Sequence, residues 1–336
     1  MDPFTQGVVG VTASQSVSQK KHFIIASIIG LLAGLAPDID IFIKSNNDPL
    51  LFLEYHRHFT HSLFFVPFGS LLCAFVFYHI FTKYYDLSFK YTYIYSFMGY
   101  VTHGIIDAFT SYGTVLYWPF SNERVAWNTV SVIDPTFTIP IAIFIFVALI
   151  TKKKLFTYTA LLWIVSYQAI AFHQKHRAET IISDYAKSEY MNIQNVLAKP
   201  SFGNIIVWKV IHTTKDKYHV NAVRLGLDTK IIPGETINKL DLKKDFKWLD
   251  VNSQQGKDLE RFRWFSNNYL GIDKINRNII YDVRFSPLPN KVEGLWGIKL
   301  DENKNYFEHV EYITNRNRNL ETFIELKDMI FDNYEN

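Results

Sequence analysis

Five long apolar runs dominate the first half of the chain, at roughly His22–Ala36, Ser62–Phe81, Tyr91–Phe109, Phe137–Ile150 and Leu155–Phe172. A bilayer core of ~30 Å needs ~20 apolar residues in a helix, so the second, third and fifth runs have the length to cross it. The first crosses only if it continues through "PDIDIFI", and the fourth only if it includes "DPTFTIP". Tyr and Trp at the run ends, with Lys just beyond them, favour membrane spans over buried helices of a large soluble protein. The opening "MDPFTQGVVGVTASQSVSQKK" lacks the basic start and apolar centre of a cleavable signal, and is expected to form a short helix against the bundle.

Beyond about Phe172 the chain turns polar. The expected fold is therefore an α-helical integral membrane bundle of about five spans, residues 1–176, followed by a small β-rich α+β extramembrane domain, residues 177–336. That domain opens with a helical linker, "AETIISDYAKSEYMNIQNVL", stopped by Pro200. Antiparallel strands are expected at "NIIVWKVI", "KYHVNAVRL", "RFRWFSNNYL", "NIIYDVRF", "GLWGIKL" and "YFEHVEYI", and a closing helix at "NLETFIELKDMIFDNY" with Asn319 as its cap. The net charge of +3 gives no argument for a nucleic-acid partner. The one cysteine, Cys73, excludes an internal disulfide and a cysteine zinc site.

Lys20, Lys21, Lys83, Lys90 and Lys152 to Lys154 fall on one side of the expected bundle. Fewer basic residues fall on the other: Lys44, Arg57, Arg124, Lys175 and Arg177. The positive-inside rule makes the first side cytoplasmic, and five spans then place the C-terminal domain outside. On that outer side the ionisable groups gather. Asp38 and Asp40 end the first run, His56, His58 and His61 precede the second, His103 and Asp107 lie late in the third, and Asp134 precedes the fourth. Each has a plainer reading alone: "PDID" as a helix end, the histidines as interfacial side chains, the His103–Asp107 pair as an interhelical lock. His103 and Asp107, four apart, share one helix face, and an Asp inside a spanning helix costs ~2.5–3.5 kcal/mol on insertion scales. Asp and His from three helix ends together suit an oxygen and nitrogen metal site for one or two divalent ions.

The motifs "DPFTQGVVG", "LAPDID", "HRHFTHSL", "HGIIDAFTSYG" and "TVLYWPF" occur in this order over the first ~140 residues. In this the chain resembles the family of bacterial inner-membrane metal-dependent hydrolases typified by YdjM, and "VIDPTFTIP" with a polar C-terminal domain resembles its longer branch. The resemblance implies an inner-membrane, multi-pass location, with Asp38, Asp40, His56, His61, His103 and Asp107 at the metal. Two positions depart from the pattern. Gln6 stands where short relatives have His, so a ligand is replaced there, or Asp2 and Gln6 serve through a water. His58 stands where the family has Gly.

These groups suit metal-assisted hydrolysis of a lipid, lipid-linked or other amphiphilic substrate at the membrane surface, with Zn or Mn favoured over Mg. Asp40 or Asp107 would be the general base. Arg57 would contact an anionic group of the substrate, or else anchor to lipid headgroups. Arg124 is a weaker anion contact, and Thr110 and Ser111 either bind a substrate oxygen or make a turn. The alternative is a non-enzymatic metal or proton carrier. A carrier needs polar groups along a path near the midplane, whereas here they gather on one face.

Overall fold

The computed structural model describes residues 1–226, 228–315 and 320–331. It divides into two compact units. The first holds Met1–Ile43, Tyr55–Phe172 and Phe202–Asn204; the second holds Lys44–Glu54, His173–Ser201 and the described residues from Ile205 onward.

The first unit is helical. Helix α1 (Pro3–Val17) starts at Asp2, whose carboxylate accepts from the Thr5 amide, and Pro3 fills its first position. Helix α2 (Phe23–Leu35) runs on through tight turns over Ala36–Phe42, so Lys20–Phe42 is one apolar element of 23 residues. After α3 (Leu51–Tyr55), which straddles the two units, come α4 (Val66–Ile80), α5 (Phe89–Phe109), α6 (Pro135–Thr151) and α7 (Lys154–Ser188). Helices α1, α2 and α5 pack on one another. Gly30 permits this: a Cβ there would lie 2.5 Å from the Gly10 carbonyl oxygen. Such small-residue contacts bring membrane helices into van der Waals range. The outward faces are apolar, with Ile24, Ile28, Phe68, Leu72, Ile143, Phe146, Leu162 and Val165 all exposed, as helices that face lipid require.

Five spans are not supported. Among the described residues, Lys20–Phe42 and Lys154–Ser188 are long and apolar enough to cross a membrane, and the count rises to three if Leu51–His61 and Val66–Ile80, bent by 85°, are one broken span. The first run does continue through "PDIDIF", as its crossing required. The second is interrupted before Val66, which leaves a 15-residue helix. The third has 21 residues but spreads Tyr, Thr, Ser, His and Asp along its length. The fourth has 17 residues, roughly 26 Å at ~1.5 Å per residue. Placing the C-terminal domain outside by way of five crossings therefore has no support.

The second unit is rich in antiparallel sheet. Strands β1 (Asn195–Pro200), β2 (Val207–Thr213), β3 (Lys217–Leu225), β4 (Thr229–Ile232) and β5 (Thr236–Asn238) form one sheet in the order β1-β2-β3-β4, with β5 also on β3. Short helices α8 (Leu242–Asp245) and α9 (Gln254–Phe265) follow. Strands β6 (Leu270–Ile272), β7 (Ile279–Asp282), β8 (Trp296–Lys299) and β9 (Glu311–Thr314) form a second meander, and α10 (Leu320–Phe331) comes last. One core joins Ala178 and Ile182 of α7 to Trp208, Val210 and Val223. Another joins Ile211, Val220 and Ile237 to Val283 and Val292.

Three local expectations change. The helical linker ends at Ser188, and Tyr190 takes a left-handed conformation with φ 56. Residues 195–200 then pair with β2 rather than staying helical to Pro200. "RFRWFSNNYL", expected as a strand, supplies the end of α9 and the first residue of β6. Leu259, Phe262 and Phe265 are buried at helical spacing behind a Ser253 cap. The expected cap Asn319 lies outside the described residues.

Candidate metal centre

The centre is built by three chain segments of the first unit. The tight turns after α2 carry Asp38 and Asp40. A turn at Phe59–His61 carries His61, and α5 presents His103 and Asp107 one turn apart. Close approach of the turn to α5 depends on Gly104, where a Cβ would lie 2.1 Å from the His61 carbonyl oxygen. Arg57, with φ 66, sits in left-handed backbone at the entrance to that turn. Its amide donates to Asp40 Oδ2 at 3.0 Å, and its carbonyl accepts from the Val115 amide at 2.9 Å.

Asp38, His61, His103 and Asp107 each bring one ligand atom within 4.8 Å of the others. His61, His103 and Asp107 are buried, while the Asp38 side chain is 22% exposed. The two imidazole Nε2 atoms face each other at 2.9 Å. Asp38 Oδ1 lies 3.4 Å from the first and 3.3 Å from the second, and Asp107 Oδ2 lies 3.3 Å from His61 Nε2.

The far side of each ring explains what stands there. His103 Nδ1 donates to the Gly34 carbonyl at 2.6 Å, and His61 Nδ1 lies 3.1 Å from Asp40 Oδ2. With a proton on each Nδ1, both Nε2 atoms present lone pairs to one point shared with two carboxylate oxygens. Four electron-rich atoms so placed repel unless a proton or a metal ion lies between them, and a donor set of two nitrogens and two oxygens suits a divalent ion. The buried His and Asp group can therefore hold a metal ion.

The surroundings orient these ligands, as outer-shell partners do. Asp40 Oδ2 also accepts from Thr60 Oγ1 at 2.8 Å, and Asp40 Oδ1 from His56 Nδ1 at 2.8 Å. Toward the first group Asp40 thus stands behind His61. With Asp38 and His56 it also forms a second three-ligand group that shares Asp38. Gln6 donates to Asp107 Oδ1 at 2.9 Å and so reaches the centre. The Met1 amino group ion-pairs with the same oxygen. Arg57 Nε lies 3.1 Å from Asp107 Oδ2.

Other expected site residues take different places. Asp2 caps α1, and Asp134 caps α6 while accepting from the Tyr167 hydroxyl at 2.7 Å. His58 packs its ring near Tyr55, Phe59 and Trp118. Thr110 accepts from Arg57 Nη1 at 2.8 Å, and Ser111 is buried beside it. Sequence reasoning passed over Thr60, Gly104 and Tyr112. Gly104 was within view, since a glycine next to the ligand histidine in "HGIID" signals close backbone approach.

A family model described as YdjM inner membrane protein matches residues 1–178. The chain is also 25% identical over 313 residues to the uncharacterized protein YfhP of Bacillus subtilis (strain 168), a match that covers 88% of each chain. No solved structure matches the chain.

Proposed function

The chain belongs to the YdjM inner membrane protein family, and on that premise we propose that it is a membrane-embedded, metal-dependent hydrolase acting at the membrane surface on a lipid, lipid-linked or other amphiphilic substrate. The observation that carries this reading is the convergence of Asp38, His61, His103 and Asp107 on one point within an apolar helical unit. These four residues would hold a divalent ion, Zn or Mn rather than Mg given two nitrogen ligands. A second ion would use Asp38, Asp40 and His56. Bound there, a divalent ion would supply a water acidic enough (pKa ~7) for hydrolysis near neutral pH.

The chain's own groups supply the rest. Asp40 holds the His61 ring in place and, through His56, reaches the more exposed edge of the centre. Asp38 is the partly exposed carboxylate of the four ligands, so it is the group best placed to take a proton from an attacking water. Asp40 and Asp107, the other candidate bases, are both buried. Arg57 pairs with Asp107 and so offsets its charge. For orientation, the lysine bias places the start of α2 in the cytoplasm, and three crossings would leave the C-terminal unit outside.

The test is metal content of the full chain purified in mild detergent, compared with a His103→Ala, Asp107→Ala double variant. Stoichiometric divalent metal in the native chain and its loss in the variant support the reading. Native protein that stays free of divalent metal under every loading condition sinks it. Metal that binds and crosses vesicle membranes without hydrolysis of any ester or phosphoester amphiphile would favour the carrier alternative.

A further inference from the structure

We propose that the exposed aromatic side chains around Trp118 form a lipid-docking patch, which takes the acyl chains of bilayer lipid and holds the mouth of the metal centre at headgroup level. The inference deepens the membrane-surface reading above and rests on it for one consequence: the substrate class is then a membrane lipid whose headgroup reaches the centre while its chains stay on the patch. The docking itself can be measured separately.

Residues 114–121 are pinned to the turn that carries His61. The Val115 amide donates to the Arg57 carbonyl at 2.9 Å, and the Leu63 amide donates to the Leu116 carbonyl at 3.0 Å. Val115 and Leu116 are buried, and a Cβ on Gly104 of α5 would lie 3.5 Å from Leu116 Cδ1. The next residues turn outward, with Tyr117 half-exposed and Phe120 83% exposed. The Phe120 ring lies 5.8 Å from Phe64, which lies 6.4 Å from Trp118 and 5.7 Å from Phe68. Trp118 in turn lies 6.0 Å from Phe59, in the turn of His61. A run of rings thus leads from the ligand turn to the surface. The turns over Ala36–Phe42 pack on that same turn. They bury Asp40 but expose Ile39 and Phe42, at 67% and 73%, so apolar side chains flank the partly exposed Asp38.

The surroundings of the patch favour lipid over a protein partner. Phe68, Leu71, Leu72 and Phe75 continue it along α4 as an exposed stripe at helical spacing. No charged residue occurs between Ser62 and Tyr78, or between Gly113 and Ser121. A protein footprint in water carries a polar rim, whereas this surface runs unbroken into a helix face suited to acyl chains. Contiguous exposed apolar patches mark interaction sites, and Trp and Tyr favour the boundary between headgroups and acyl chains.

The experiment uses the full chain in vesicles of phosphatidylethanolamine and phosphatidylglycerol. Cys73 is the one cysteine and is buried, so Cys73→Ala serves as background for single thiols. Phe120→Cys, Phe42→Cys and, as an exposed reference on α7, Lys187→Cys each carry the same fluorophore. Quenching is recorded with nitroxide lipids labelled near the headgroup or at the chain end, and with iodide on both faces of the vesicle. Thermal midpoint and metal content are recorded for each variant. The labels at positions 120 and 42 should be quenched several-fold more than the reference by the headgroup-proximal nitroxide, and several-fold less by iodide. If Phe120→Cys or Phe42→Cys loses its fold, Tyr117→Cys or Ile41→Cys is held to the same criterion. Iodide quenching equal to that of the reference overturns the patch. So does shielding from both quenchers, which would assign a protein contact such as a second copy. Stronger quenching by the chain-end nitroxide would put the mouth deep in the bilayer and overturn its headgroup level. Lipid contact is read with or without metal. Failure of the patch therefore leaves the metal reading standing, and lipid contact in a chain that never takes up metal keeps the patch and removes the hydrolase.

Discussion

At the scale of single residues the centre separates ligands from bystanders. His61→Ala removes an Nε2 that faces His103 Nε2 at 2.9 Å, so bound metal should fall by more than the ~10–100-fold that outer-shell changes cost. His58→Ala should change metal content little, because that ring packs against Trp118 and Phe59. His79→Ala should leave metal content unchanged, since its Nδ1 donates to the Phe75 carbonyl on α4. Metal analysis of the three variants checks the order, and equal losses from His79 and His61 would refute the assignment. Gly104→Ala is the more searching change. It removes no ligand, yet its Cβ would meet the His61 carbonyl oxygen at 2.1 Å. Overpacking of this kind costs about 1–3 kcal/mol, and here it should also move His61 and release metal. Metal retained at the native level in a folded Gly104→Ala protein would mean that the turn has slack the structure does not show.

At the scale of elements, the C-terminal sheet carries its own chemistry. Lys199 and Lys209 sit opposite each other on β1 and β2. Lys209 Nζ donates to Ser286 Oγ at 2.6 Å and to the Lys291 carbonyl at 2.8 Å. Burial pushes its ammonium down to about 7 from 10.5, and burial likewise holds Lys199 well below its ordinary value. Between these values the unfolded chain binds a proton that the folded sheet does not. Stability should therefore rise with pH from ~7 toward ~10, by up to ~1.4 kcal/mol per pH unit for one such group. Amide hydrogen exchange in β2 of the full chain, followed over that range, should show growing protection after correction for intrinsic rates. Lys209→Met should flatten the trend. A slope that survives in Lys209→Met and in a Lys199→Met, Lys209→Met double variant would assign the effect elsewhere. In the same unit, Arg261 grips Asp48 and Glu54 at 2.9 Å and Asp258 at 3.0 Å. Arg261→Ala should expose Lys44–Glu54 to limited proteolysis several-fold faster.

At the scale of the whole molecule the number of bilayer crossings fixes the side on which the C-terminal unit lies. Two crossings would return the C-terminal unit to the side of α2's start, whereas three would carry it across. A reporter fused after Asn336 should behave as extracytoplasmic; activity confined to the cytoplasm would mean that the bent pair Leu51–His61 and Val66–Ile80 does not cross as one span. Much of this architecture was legible beforehand. Apolar runs marked the helical half, alternating Val, Ile and Tyr marked "KYHVNAVRL" as β3, and the ordered motifs named the residues that meet at the centre. These signals are local: the period of a helix, the alternation of a strand, the cost of an Asp in an apolar run. The span count was not legible, because hydropathy cannot see the break before Val66 or the polar face that α5 turns toward its neighbours. Nor was the division of labour around His61, where Asp40 stands behind the ring and Asp38 in front. Two carboxylates two residues apart look alike in a sequence. Their roles are decided by which oxygen meets which nitrogen, and that depends on the approach of a turn, a helix end and a glycine from distant parts of the chain.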